Sequence, residues 1–262
     1  MKRLIILVMM LSILLGLSAE RKALIIANSV YANSSVVNAA TDADSMNVAL
    51  TKLGFNVWKR SNLSLGAITA VVDSFSARVT ASDDVVVYYS GHGTNSNGIN
   101  YIVPARLDIA QIQNYPTSAY SVSTLAQKIK TAKTSIIVLE ASRMWGMNSS
   151  KAIAKPFVAM QAASPKQMII SAAQPGKAIA LTQVSQSTFS QAFIERISTS
   201  ELGINSTMQL VMADVESRTG KLQKPWISGA IEGDFHFGTP DMMLQWKRQP
   251  LKSIQGGGSL SW

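Results

Sequence analysis

The sequence predicts an α/β domain built on a mostly parallel sheet, and three observations predict it. Short runs of β-branched and other apolar residues recur at Lys22–Asn28, Phe55–Trp58, Asp84–Ser90, Ser135–Glu140 and Gln167–Ala172. The segments between them carry apolar residues at i, i+3, i+4 and i+7, the spacing of an amphipathic helix. Strands that alternate with helices of about 10 to 15 residues form crossover units, which set successive strands parallel. No internal repeat or interior linker breaks the pattern, so residues 20–238 read as one domain.

The first strand, Lys22–Asn28, is followed by Thr41-Asp42-Ala43-Asp44, which predicts a helix start with Thr41 as cap and Asp44 at the reciprocal position. Met46, Ala49, Leu50 and Leu53 form the apolar face of that helix, and Gly54 ends it before the Phe55–Trp58 strand. Ile68, Val71, Val72, Phe75 and Val79 predict a second helix, leading into Asp84–Ser90. Thr94–Gly98 reads as a polar loop, followed by an extended segment at Tyr101–Pro104. Val122, Leu125, Ile129 and Ala132 mark a further helix ahead of Ser135–Glu140. After Gln167–Ala172, closed by Pro175-Gly176, two helices carry Phe189, Ala192, Phe193 and Ile197, then Met208, Val211 and Val215. A last extended segment runs from Pro225 to Phe237.

The two ends of the chain differ from this pattern. Lys2 and Arg3 precede an apolar stretch from Leu4 to Leu17, with small residues at Ser18 and Ala19. This is the layout of a secretory signal peptide over residues 1–19, and it predicts an exported protein, periplasmic or secreted. The stretch is short for a membrane-spanning helix, which needs about 20 apolar residues; an uncleaved anchor is the alternative. Residues 239–262 lack periodicity, carry Lys247, Arg248 and Lys252, and include Gly256-Gly257-Gly258. They read as an extended or mobile C-terminal extension, docked at most by Trp246 or Trp262.

Composition narrows the chemistry. There is no cysteine, so neither a disulfide, a thiolate nucleophile nor a cysteine metal site is possible. Without Lys2 and Arg3, 22 basic residues face 15 acidic ones, a net charge of +7 that weakly favours anionic partners. Basic residues do not cluster or alternate with aromatics, so no nucleic-acid partner is expected. Gly91 and Gly93 do not form a dinucleotide fingerprint. With two histidines, no zinc site is expected; His236, between Phe235 and Phe237, reads as a solvated strand residue on the face opposite both rings.

What remains is the end of the apolar Asp84–Ser90 strand, which runs straight into Gly91-His92-Gly93. Open parallel sheets collect chemistry at the carboxyl ends of their strands. The Ser135–Glu140 strand ends similarly, in Ala141-Ser142-Arg143. A hydroxyl beside an imidazole is the minimal nucleophile and base, and amides near Gly93 and Ser142 would form an oxyanion hole. An ordinary polar sheet edge would also account for these residues.

Several segments resemble the caspase/metacaspase-type peptidases, in particular their bacterial branch. They are Lys22–Asn28, Thr41-Asp42-Ala43 with Leu53-Gly54-Phe55, Val85–Gly93, Asn100–Pro104, Ile136–Arg143, Ile169–Gly176 and Thr219–Phe237. The most specific match is the strand ending in Ser90-Gly91-His92-Gly93, with Gln223-Lys224-Pro225-Trp226 as an independent one. The resemblance implies a three-layer, caspase-like sandwich whose six-stranded, mostly parallel sheet has helices on both faces. It makes His92 the counterpart of the catalytic histidine and puts Ser142 where the family carries its nucleophilic cysteine. It also implies that Asp42, Ser90 and Glu140 match an acidic pocket that accepts arginine or lysine.

A serine hydroxyl is a far weaker nucleophile than a histidine-paired thiolate and needs a well-oriented base. The leading expectation is therefore a pseudo-protease that keeps a groove for a basic peptide. One alternative is an active serine-type endopeptidase cleaving after arginine or lysine, with Ser142 as nucleophile and His92 as base. Another is an envelope scaffold that binds through its basic surface or tail. Thr94–Gly98 offers no carboxylate for calcium, and no cofactor or metal is expected.

Overall fold

The structure, a computed structural model, describes residues 19–32, 34–108, 114–141, 155–179, 184–199, 201–233, 235–239, 241–242 and 244. The expected leader lies outside the described residues except for Ala19. So do Trp246, Trp262 and most of the C-terminal extension.

A six-stranded sheet forms the centre. Its strands are β1 (Arg21–Ala27), β2 (Asn56–Ser61), β3 (Asp84–Ser90), β7 (Thr134–Glu140), β8 (Gln167–Ser171) and β9 (Trp226–Gly229), in spatial order β2-β1-β3-β7-β8-β9. The first five are parallel and β9 pairs antiparallel with β8, so the sheet is mostly parallel as expected. Strand β3 lies between β1 and β7, and Val85 to Ser90 are all buried.

Alternation along each strand feeds two cores. Ala23, Ile25, Val86, Tyr88, Ile136, Val138, Met168 and Ile170 face α1 (Ala39–Lys52), α5 (Thr188–Thr199) and α6 (Ile204–Arg218). Leu24, Ile26, Val85, Val87, Tyr89, Ile137 and Leu139 face α2 (Leu65–Ser76) and α4 (Val122–Lys128). A sheet apolar on both faces must be covered twice, which is why the layers number three. Among the described residues no helix is long and apolar enough to cross a membrane.

Several expectations are corrected. The segment after His92 is not a plain loop: β4 (Gly93–Ser96) and β5 (Ile99–Ile102) form an antiparallel hairpin, which β6 (Tyr120–Ser121) extends. Its two-residue turn is Asn97-Gly98, with φ of 50° and 79°, the left-handed pair that a tight hairpin requires. The first helix begins at Ala39, not at Thr41, and its N-cap residue Asn38 makes no side-chain cap bond. Ala39 packs with Tyr31, Val36 and Val103, which draws the first turn forward, while Asp44 pairs with Lys59 on β2. The Pro225–Phe237 segment is a strand only over Trp226–Gly229, because Gly229 (φ 77°) and Gly233 (φ 95°) turn the chain away. The helices marked by Val79 and by Ile129 and Ala132 end sooner, at Ser76 and Lys128, although Ile129 and Ala132 stay buried. A four-residue helix, α3 (Tyr115–Ser118), follows the hairpin.

His236 does not lie in a strand, yet it alternates as expected: Phe235 and Phe237 are buried and His236 is partly exposed. Arg21 holds this segment. Its guanidinium donates to Leu53 O at 2.8 Å, to Phe237 O at 2.5 Å and to His236 O, and lies 4.8 Å from the Phe55 ring centroid. Burial lowers the Arg21 pKa, against the opposing pull of Asp84.

Candidate functional site

Strands β3 and β7 run in register from Asp84↔Thr134 to Ser90↔Glu140, so both chains leave the sheet at the same level. Gly91 N donates to Glu140 O at 3.2 Å, which extends the ladder one step. Ala141 is the last described residue on the β7 side; Ser142, and with it one half of the expected oxyanion hole, lies outside the described residues.

Glycine at 91 and 93 has a steric cause beyond simple turning. A Cβ on Gly91 would sit 2.5 Å from the Tyr89 hydroxyl and 2.8 Å from that of Tyr31. A Cβ on Gly93 would sit 2.4 Å from Phe157 Cζ and 3.0 Å from Ala141 Cβ. The hydroxyls near Gly91 hold His92 by its backbone. His92 N donates to Tyr31 Oη at 2.8 Å, and Tyr89 Oη donates to His92 O at 2.7 Å, an acceptor that Val103 N also reaches at 3.0 Å. The imidazole is buried, tilts against the Tyr31 ring at 4.4 Å between centroids, and has Nε2 2.7 Å from Ser34 Oγ. Asn28, at the end of β1, ties the neighbouring turns together by donating to Val103 O at 3.0 Å and accepting from Leu63 N at 3.0 Å.

The other three expected residues also come together, through one that sequence reasoning missed. Ser187 N donates to Asp42 Oδ1 at 2.8 Å, and Ser187 Oγ donates to Glu140 Oε2 at 2.9 Å. The same Oγ accepts from Ser190 N at 3.2 Å, so Ser187 caps the N-terminus of α5. Ser90 Oγ donates to the second Asp42 oxygen at 3.3 Å. Asp42, Ser90 and Glu140 are all fully buried. Two buried carboxylates thus face the positive end of a helix and one serine, which offsets part of the cost of burying their charge.

Of this trio Glu140 is the one that lines a cavity of 620 Å³, the size of a site for a side chain or small ligand. Ser187, Gln223 and the cationic Lys177, Lys221 and Lys224 line it as well. Asp42 and Ser90 lie behind Ser187, and His92 is not on the cavity wall. The Gln223 side chain donates to Ala172 O at 2.9 Å, so the second matching motif is anchored to the end of β8. Among the described residues no three His, Asp or Glu side chains come together as a metal site.

Sequence reasoning missed Tyr31, Tyr89, Ser34 and Ser187. A tyrosine pair flanking a glycine–histidine turn carried some signal; Ser187, 145 residues from Asp42, carried none.

Known proteins agree with this architecture. No curated protein matches the chain. Among solved structures, caspase-1 from Spodoptera frugiperda superposes with a TM-score of 0.61 at 19% identity, over 85% of this chain and 93% of that one. At this identity the likeness concerns the fold. The caspase-domain family model matches residues 20–236, which span nearly the whole described region. The chain therefore belongs to the caspase-domain family of peptidases.

Proposed function

We propose that this protein is an exported caspase-like domain that binds a peptide segment in the Glu140 cavity and does not hydrolyse it efficiently. The observation that carries this reading is the position of Glu140. Glu140, whose carboxylate is held by Ser187, is part of the lining of a 620 Å³ cavity at the strand level from which His92 departs. A carboxylate recessed in a cavity suits the ammonium or guanidinium of a lysine or arginine. Lys177, Lys221 and Lys224 on the walls add a second demand, because a wholly basic segment would be repelled there. The partner is therefore a segment with one basic residue flanked by acidic ones.

The loss of hydrolysis follows from the nucleophile. Ser142 stands at the family's cysteine position, and its hydroxyl lacks the thiolate character on which such a site depends. Export is read from the basic start and short apolar segment of residues 1–19, and places the domain in the periplasm or outside the cell.

The test uses mature protein and fluorogenic peptides with a single arginine or lysine, with and without neighbouring acids. The unmodified chain should bind the mixed peptides and release negligible fluorophore, whereas Ser142→Cys should cleave them. Cleavage by the unmodified chain that Ser142→Ala abolishes would establish a serine peptidase instead. Binding that survives Glu140→Gln but is lost on deleting residues 239–262 would select the scaffold reading.

A further inference from the structure

The first residue of the domain meets a buried carboxylate with its backbone nitrogen. We infer that cleavage of the Ala19–Glu20 bond completes an ion cluster at the foot of the sheet: the new α-ammonium of Glu20 pairs with Asp83 and fastens the mature N-terminus. This rests on reading residues 1–19 as a cleaved leader.

Asp83 is already arranged around charge. Its side chain is 1% exposed. Oδ2 accepts from Thr80 N at 2.7 Å, Thr80 Oγ1 at 2.9 Å and Lys22 Nζ at 2.8 Å. Oδ1 accepts from Glu20 N at 3.0 Å, and Glu20 O in turn accepts from Asp84 N at 3.0 Å. The nitrogen that cleavage would free is thus fixed against the carboxylate before β1 begins. In the uncleaved chain the cluster holds two carboxylates, Asp83 and Glu20, against one ammonium, Lys22, which lies 3.3 Å from Glu20 Oε2. Hydrolysis of the Ala19–Glu20 bond adds one water: Ala19 gains a carboxylate, and Glu20 gains an amine that binds a proton at neutral pH. Two cations then face two carboxylates. A hydrogen bond with both partners ionised is shorter and stronger than one from an amide, and a buried carboxylate costs least when its charge is matched. Lys22 is the cation that opposes the new charge. Arg21 lies over the Phe55 and Phe235 rings under the pull of Asp84, and the Arg78 guanidinium lies over Trp58. The two carboxylates favour the charged amine, so it should titrate above the ordinary α-amino range of about 7.7 to 8.0. Its stabilising effect is then complete below that range and fades as pH rises through the raised folded value.

Two chains decide the pairing. One begins at Glu20, released from a fusion by a peptidase that leaves no extra residue; the other begins at Ser18, so that the same nitrogen is an amide. Both carry one α-amine and the same net charge. At about pH 6.5 the Glu20 chain should melt higher by about 2 to 4 °C, the scale of one strengthened bond in a domain of this size, and the gap should close above about pH 9. Asp83→Asn keeps an acceptor but not the charge, and should remove most of the gap. Equal melting of the two unmodified chains, or a gap that persists in Asp83→Asn, would overturn the inference. Where Asp83→Asn does not fold, the amine of the unmodified Glu20 chain gives the answer. The pH dependence of its acylation, read from the mass of the N-terminal peptide, should place its pKa above the ordinary range, and an ordinary or lower value would overturn the pairing. The leader reading is checked apart from this, by mass spectrometry of the full-length chain after export from a host cell. Glu20 as the first residue supports it. Any other first residue would defeat the leader reading, and with it the maturation step, even where the two purified chains differ in melting as expected.

Discussion

Removing the Ser187 hydroxyl is the most informative single perturbation. In Ser187→Ala the backbone N–H to Asp42 remains, but Glu140 loses the Ser187 hydroxyl and α5 loses its cap. A hydrogen bond to a charged group contributes about 1.5 to 3 kcal/mol, and a cap about 1 kcal/mol. One hydroxyl serves both, so the expected loss is about 2 to 4 kcal/mol. For a domain of this size each kcal/mol moves Tm by roughly 2 to 4 °C, which predicts a fall of about 5 to 15 °C. Circular dichroism melts of mature protein at neutral pH read this directly, and Ser187→Thr, which keeps the hydroxyl, should recover most of it. The reasoning depends on Glu140 being dry. If water entering from the cavity takes over the donor role, only the cap term survives and Tm falls by about 2 to 4 °C. A fall that small would refute the view of Glu140 as a carboxylate held by protein alone.

Two further outcomes follow from geometry away from that hydroxyl. Gly93→Ala drives a Cβ to 2.4 Å from Phe157 Cζ, and overpacking of this kind costs about 1 to 3 kcal/mol; Phe157→Leu should relieve part of it in the double variant, seen as a non-additive change in urea midpoint. Asp83 is desolvated, which would raise its pKa, but hydrogen bonds from Lys22, Thr80 and Glu20 outweigh this and hold it below the ordinary aspartate range. Its contribution is therefore complete above about pH 5 and is lost as pH falls through the depressed folded value; Asp83→Asn should reduce stability at pH 7 and flatten the acid limb of a stability–pH curve.

The parts of the fold that were legible are those dictated by burial. Val85 to Tyr89 read as a central strand because a strand covered on both faces must be apolar throughout, and β7 and β8 read the same way. The hairpin after His92 was not read, because Thr94, Asn95 and Ser96 are polar; the overlooked signal was Asn97-Gly98 itself. In the site, His92, Asp42, Ser90 and Glu140 stand at strand ends or a helix start, where residue type and position say something about role. Ser187 and Ser34 say nothing in one dimension. Each matters only through the atom it meets across the fold, and serine is too common for that to show in the sequence.

The Arg21 clamp has a consequence for how the domain is presented to its surroundings. Arg21 holds the Phe237 carbonyl at the start of β1, and Glu20 is bonded to Asp83 and Asp84 at the start of β3. Entry to and exit from the domain thus share the lower rim of the sheet. His92 and Glu140 stand at the upper rim, seven β3 residues away, or about 20 Å at ~3.3 Å per residue. A leash attached at Glu20 would hang the domain with the Glu140 cavity facing outward. Surface immobilisation there should therefore leave the upper rim clear.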